Sequence, residues 1–290
     1  MARPVLGIVG GSGIYDLPGL EGARREILST PFGDPSGAFL LGRLGEQELV
    51  FIARHGEGHR FAPGEVNYRA NLWGLKKLGC SRVISLSAVG SLREDVAPGQ
   101  IVLPDQFIDR TVGRKQTFFE GGIVAHVAFA DPVCPELRDH LQAAAHDASA
   151  TAHPRGTYLC IEGPQFSSRA ESELYRSWRA DVIGMTNLPE AKLAREAELC
   201  YATVALVTDY DCWHPAHEAV SVETVIATLR QNVETARALL RAAALAGDRL
   251  AERGCACGHA LDHAVLTAPA HISAAARARV SLLLGDRCKP

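Results

Sequence analysis

The stretch Val5-Leu6-Gly7-Ile8-Val9, running into Gly10-Gly11-Ser12-Gly13, sets the reading of the whole chain. A five-residue apolar run closed by glycines has the length of a buried strand. It is far short of a signal-peptide core or the roughly 20 residues of a membrane helix. The glycines that follow let backbone N–H groups approach an anion, and the Ser12 hydroxyl adds a donor. The loop is not a dinucleotide fingerprint, because Asp16 stands where the third glycine belongs. Nor is it a P-loop, since no Gly-Lys-Ser/Thr follows. Taken alone, it is equally well a tight turn.

Outward from this unit, short apolar runs recur between longer helical patterns. Strands are predicted at Val5–Val9, Phe39–Leu44, Leu49–Ala53, Val83–Ser87, Ile101–Leu103, Thr157–Ile161, Val182–Met185 and Ala202–Val207. One helix is expected from about Pro63 to Gly79, where glycine accepts a left-handed cap. Another begins at Ser168-Arg169-Ala170-Glu171, a capping-box pattern. The longest, from about Ser221 to Ala246, repeats apolar residues at helical spacing. This alternation predicts an α/β fold: one three-layer domain with a central, parallel or mixed sheet flanked by helices. A composition shift at 247–258 suggests a domain over 1–250 and an extension over 251–290 that packs on it or on a neighbouring subunit.

Composition narrows the partners. With 47% hydrophobic and 22% charged residues and a net charge of -3, the 290-residue chain is globular and lacks the basic surface of a nucleic-acid binder. No apolar run is long enough for a membrane span. Eight cysteines are scattered mostly through apolar segments, as in a reducing compartment, so the cytoplasm is the expected location. Cys255-Ala256-Cys257, with His259 and His263 nearby, has a metal-like composition. Its one-residue spacing departs from the two-to-four-residue spacing of structural zinc sites, so no metal is expected there.

The chemistry collects at strand ends, where open α/β sheets bind ligands. Arg54-His55 follows the strand Leu49–Ala53. Arginine can hold a phosphate in a fork and the histidine can add a donor, although a solvated charged loop reads the same way. A metal site of His55, Glu57 and His59 is disfavoured by the intervening glycines. Ser85 to Ser91 forms a small, hydroxyl-rich strand end around Ser87 and Ala88, and Thr186 stands at a fourth. Thr208-Asp209-Tyr210-Asp211 follows the last strong strand. These acids are either solvated or face a cleft, where they would accept hydrogen bonds from a base. Burial and mutual repulsion would then keep one of them protonated.

These residues resemble the purine nucleoside phosphorylase superfamily, on its methylthioadenosine phosphorylase branch. The resemblance runs from about Val5 to Leu240. It rests on Gly10-Gly11-Ser12-Gly13, Arg54-His55-Gly56, Val66-Asn67-Tyr68-Arg69-Ala70-Asn71, Gly90-Ser91-Leu92-Arg93, Asp105 to Thr111, Glu162 to Glu171, Gly184-Met185-Thr186 and Thr208 to Trp213. It implies that Ser12, Arg54, His55, Ser87, Ala88 and Thr186 hold phosphate. Met185 would lie against the ribose, Phe166 on the base, and Asp209 and Asp211 at N7 and the 6-amino edge. It also implies a homotrimer in which His126 of a neighbouring subunit joins Val222 and Ile226 around the 5'-substituent. The implied reaction is phosphorolysis of 5'-methylthioadenosine, with inorganic phosphate as co-substrate and no metal or organic cofactor. Methylthioinosine or a plain purine nucleoside is the alternative substrate. Acceptors at both acids favour a 6-amino purine, because a 6-oxo group presents another acceptor and is disfavoured unless Asp211 is protonated.

Overall fold

The computed structural model describes residues 4–10, 17–215, 222–250 and 254–288, excepting the side chains of 222–225, 227, 229, 230, 286 and 288. Among these residues eleven strands form one mixed sheet: β1 (Val5–Gly10), β2 (Glu21–Glu26), β3 (Phe39–Leu44), β4 (Gln47–Ala53), β5 (Cys80–Ser91), β6 (Ile101–Val102), β7 (Gln106–Arg110), β8 (Ala152–His153), β9 (Thr157–Ile161), β10 (Val182–Gly184) and β11 (Cys200–Asp209). Among the described residues six α-helices accompany them: α1 (Tyr68–Lys77), α2 (Pro135–Asp147), α3 (Arg169–Ser177), α4 (Asn187–Glu196), α5 (Val222–Leu245) and α6 (Ala274–Leu284). Two apolar clusters cover the sheet. Leu72 and Leu75 of α1, Ala191 and Leu193 of α4 and Val280 of α6 pack in one. Leu137 and Leu141 of α2 and Val233, Leu239 and Leu240 of α5 pack in the other. This is the expected three-layer α/β domain.

Every strand expected from apolar runs forms, within a few residues at each end. The missed strands lack that signal. β2 reads Glu-Gly-Ala-Arg-Arg-Glu and has no buried residue. It is held by antiparallel pairing to β3 at the sheet edge. The helix expected from Pro63 begins instead as a 3-10 turn over Pro63–Glu65. The α-helix then starts anew at Tyr68, because the Asn67 side chain accepts from the Ala70 N–H. The Ser168–Glu171 box forms as read, each side chain bonding the other residue's backbone N–H.

The long strand β5 positions everything that follows. Its first half lies between β1 and β11, both parallel to it. At Gly90 and Ser91 it pairs antiparallel with β10. A strand that changes partners leaves a crevice at the fork, and in such sheets ligands occupy that crevice.

At the end of α4, buried Glu196 accepts hydrogen bonds from the Phe118 N–H and the Thr117 hydroxyl, each 2.7 Å away. Burial outweighs these bonds and lifts its carboxyl to about 7. In the unfolded chain the same group releases its proton near 4.5. Between those values the folded state holds more protons, so stability falls as pH rises from about 4.5 to about 7 and is flat beyond. The expected loss is about 3 kcal/mol. Urea unfolding at about pH 5 and about pH 8 should show this difference, and Glu196→Gln should abolish that part of it.

Candidate active site

A cavity of about 270 Å³ opens at the fork in β5. Leu86 to Gly90 of β5 form one wall. Arg54 and His55 after β4, Gly184 to Thr186 after β10, and Thr208, Asp209 and Asp211 at the end of β11 form the rest, with Phe166 on the rim. Four chain segments distant in sequence thus meet because their strands all end here. Nine residues named from the sequence line this one cavity: Arg54, His55, Ser87, Ala88, Phe166, Met185, Thr186, Asp209 and Asp211.

Hydroxyls and backbone gather at one part of it. Ser87 Oγ lies 3.0 Å from the Tyr158 hydroxyl and 3.2 Å from Thr186 Oγ1. Thr186 is the N-cap of α4, yet its side chain makes no capping bond. Its hydroxyl is therefore suited to an anion, whereas the first backbone donors of the helix are not: Leu188 is non-helical, its N–H meets Cys160 Sγ at 3.4 Å, and Pro189 has no N–H. Arg54 is held more tightly than a strand-end arginine suggests. It is 1% exposed, and Nε and Nη2 grip Glu190 at 2.7 and 3.0 Å. Further bonds to the Leu86 carbonyl and Ser85 Oγ bring the total to four of its five N–H donors. Burial opposes its charge, but Glu190 prevails and keeps it cationic. What reaches the cavity is a fixed positive charge rather than an open fork.

His55 differs from the donor anticipated in its sequence context. Its Nδ1 lies 2.8 Å from the Phe61 carbonyl. A carbonyl only accepts, so Nδ1 must carry the hydrogen. Burial, and then the charge of Arg54, push its pKa down to about 4. At neutral pH the ring is uncharged and Nε2 is an acceptor, suited to a P–OH group rather than a bare phosphate oxygen. Ser12 lies outside the described residues. The loop that carries it starts at Gly10, whose carbonyl accepts from the Arg54 N–H at 3.0 Å.

The acids sit on an irregularity of the sheet. Val207 pairs with Val89 and Asp209 with Gly90, so Thr208 is an extra residue, a bulge that re-aims Asp209. Asp209 Oδ1 accepts from the Asp211 N–H at 2.8 Å, and Oδ2 lies 2.7 Å from the Thr208 hydroxyl. That hydroxyl is also 3.2 Å from the Val89 carbonyl. Its single proton serves one acceptor at a time, so it can turn to Val89 and accept from Asp209 when the acid is protonated. Asp211 is buried, with a left-handed φ of 52° that turns the chain sharply after Asp209. Burial raises the pKa of both carboxyls, and the Asp209 charge adds to the effect at Asp211. Trp213 anchors the loop, donating from Nε1 to the Ser91 carbonyl at 2.7 Å.

Gly90 makes room for this arrangement. A Cβ there would stand 2.8 Å from Asp209 Oδ1 and 3.3 Å from Asp211 Cβ. Gly90→Ala should therefore displace the acids while leaving the fold intact. The expected loss in kcat/KM is on the order of 10²-fold. It is to be checked by steady-state kinetics beside an unchanged far-UV circular dichroism spectrum.

Other sequence-named residues lie elsewhere. His126 is exposed and does not line this chain's cavity. Its N–H bonds the Ala264 carbonyl, in the segment after 250. Ile226 is 44% exposed on α5 and does not line the cavity either, and the Val222 side chain is outside the described set. Conversely, Glu190, Tyr158 and Thr208 were not anticipated. Glu190 acts across 136 residues of sequence and no local pattern marks it. Thr208 was flanked by recognised residues and gave a usable signal.

A fixed cation, hydroxyl donors and a pair of buried acids with raised pKa, enclosed at the carboxyl ends of a mixed α/β sheet, suit an oxyanion beside a polar ring. Comparison with known proteins points the same way. Residues 5–244 match the phosphorylase superfamily. S-methyl-5'-thioadenosine phosphorylase of Geobacter sulfurreducens is 56% identical over 283 residues, 97% of this chain and 98% of that protein. The corresponding protein of Koribacter versatilis is 53% identical over 97% of this chain and 95% of its own length. A crystal structure of methylthioadenosine phosphorylase from an Antarctic soil metagenomic library superposes with a TM-score of 0.92. It is 46% identical and covers 98% of this chain and 100% of its own. An adenosine/methylthioadenosine phosphorylase variant from Schistosoma mansoni, in complex with methylthioadenosine, superposes with a TM-score of 0.79 at 39% identity, covering 85% of this chain and 92% of its own. The chain belongs to the phosphorylase superfamily, in the family of the S-methyl-5'-thioadenosine phosphorylases.

Proposed function

We propose that the protein catalyses phosphorolysis of 5'-methylthioadenosine to adenine and 5-methylthioribose 1-phosphate. One observation carries the reading: the hydroxyl cluster and the acid pair share a single cavity wall. Ser87 and Gly90, against which Asp209 packs, are three residues apart on β5, a span of about 10 Å. That spacing suits a phosphate below the ribose and a purine beyond it. The names of the close relatives agree with this reaction.

As the C1'–N9 bond stretches, positive charge grows on the ribose and negative charge on the purine. Phosphate, held by Ser87, Thr186, the charge of Arg54, the acceptor nitrogen of His55, Ala88 backbone and Ser12, stabilises the cation and captures C1'. Asp209 in its protonated form supplies N7 with a proton, and Asp211 accepts from the 6-amino group. Met185 and Phe166 flank the ribose and base. The reaction itself calls on no metal or organic cofactor. We further infer a cytoplasmic homotrimer, with the exposed His126 of each subunit serving its neighbour's 5' pocket beside Val222 and Ile226.

A product assay decides between substrates: methylthioadenosine, methylthioinosine, adenosine and inosine, each with and without phosphate. Adenine and 5-methylthioribose 1-phosphate should form only with phosphate, and methylthioadenosine should show the highest kcat/KM. Base release at full rate in phosphate-free buffer would overturn the proposal.

A further inference from the structure

The fold brings together four cysteines that the sequence keeps far apart. The Sγ atoms of Cys134, Cys200, Cys255 and Cys257 all lie within 4.8 Å of one another, and the pair Cys200–Cys255 is 3.3 Å apart. All four are thiols rather than disulfides, and only Cys255 is more than marginally exposed. Zinc–sulfur bonds of about 2.3 Å at tetrahedral angles place sulfurs about 3.8 Å apart. The observed separations bracket that value.

We propose that Cys134, Cys200, Cys255 and Cys257 bind one zinc ion in a closed tetrathiolate site that fastens residues 254–288 to the phosphorylase domain. The Cys-x-Cys spacing told against zinc when all ligands were sought in one segment. Two ligands come instead from the domain: Cys134 is the N-cap of α2 and Cys200 opens β11. The other two converge because Cys255 is the extended N-cap of a 3-10 helix over Ala256–His259. The chain turns there, so residues two apart do not point to opposite sides as in a strand.

The surroundings favour thiolates over thiols once a cation is present. The N-terminus of the 13-residue α2 points partial positive charge at Cys134. Buried Arg82 stands in register with Cys200 on the neighbouring strand. A bound divalent ion deprotonates all four thiols. Sulfur-only, tetrahedral and closed coordination is the pattern of structural zinc, so the ion is assigned no part in the reaction.

The site's position says what it holds. The phosphorylase match ends at residue 244, and the cluster ties the segment beyond to the sheet. Past the cluster, that segment packs Leu261, Ile272, Val280 and Leu284 against the core and pairs Val265 with Ala125, next to His126.

The test is metal analysis of the full-length protein purified from zinc-supplemented cells without chelators. One zinc per chain is expected. On exchange with cobalt, the intense visible absorption of a tetrahedral thiolate complex should appear, while Cys134, Cys200, Cys255 and Cys257 resist thiol reagents. Cys255→Ser, at the least buried ligand, should lose zinc and increase hydrogen exchange across 254–288. Cys80→Ala, outside the cluster, should keep its zinc. Iron in place of zinc, substoichiometric metal with reactive thiols, or an intact mass short of two hydrogens per Cys–Cys bridge would each overturn the assignment. The wild-type measurement stands even if Cys255→Ser does not fold.

Discussion

Asp209→Asn should lower kcat on methylthioadenosine by about 10²–10⁴-fold, the range of a lost general acid, with little change in thermal stability. The substitution isolates the proton. Asparagine Oδ1 can still accept from the Asp211 N–H, and Nδ2 can donate to N7 and towards Thr208 Oγ1, so the loop keeps its shape. An amide cannot transfer a proton to the departing purine. The pH profile gives a second readout. Burial raises the pKa of Asp209, and a general acid is active only while protonated. Wild-type kcat should therefore fall on the alkaline side as that proton is lost, and the same limb should vanish in Asp209→Asn. Near-wild-type turnover in the variant would remove Asp209 from the chemistry.

The largest stability effect is expected at Glu190. Its carboxylate accepts from Arg54 Nε and Nη2, the Ser85 hydroxyl at 2.6 Å and the Tyr201 hydroxyl at 2.9 Å. Arg54 and Glu190 are 1% and 0% exposed. Removing one member of a buried ion pair leaves the other charge without compensation, which costs about 3–5 kcal/mol. Glu190→Ala should lose that much in urea unfolding. Variant that remains folded should also bind phosphate more weakly, because the guanidinium beside the cavity is no longer held. Glu190→Gln, which keeps the shape and one acceptor, should fall between the two.

The strand ends proposed to face phosphate were more legible than the loop proposed to face the base, for a physical reason. A glycine-rich or hydroxyl-rich end after an apolar run is a local pattern, and Arg54, His55, Ser87 and Thr186 were named from such patterns. Nothing local distinguishes Asp209 and Asp211 from a solvated loop. Their reading depended on family resemblance, and their geometry depends on the Thr208 bulge against β5. His55 shows the same limit in protonation. The sequence places it beside Arg54, but its contact with the Phe61 carbonyl decides that Nε2 accepts rather than donates.

The sequence by itself determined the α/β class, the apolar strands, the Ser168 cap and the segments that carry the site. Each depends on the period or capping chemistry of neighbouring residues, and a chain encodes these within a few positions. Tertiary structure decided that β5 forks at Gly90, that Glu190 grips Arg54 from 136 residues away, and that Cys134 and Cys200 join Cys255 and Cys257. These depend on which strands become neighbours. That choice follows from burial across the whole sheet, which no single segment contains.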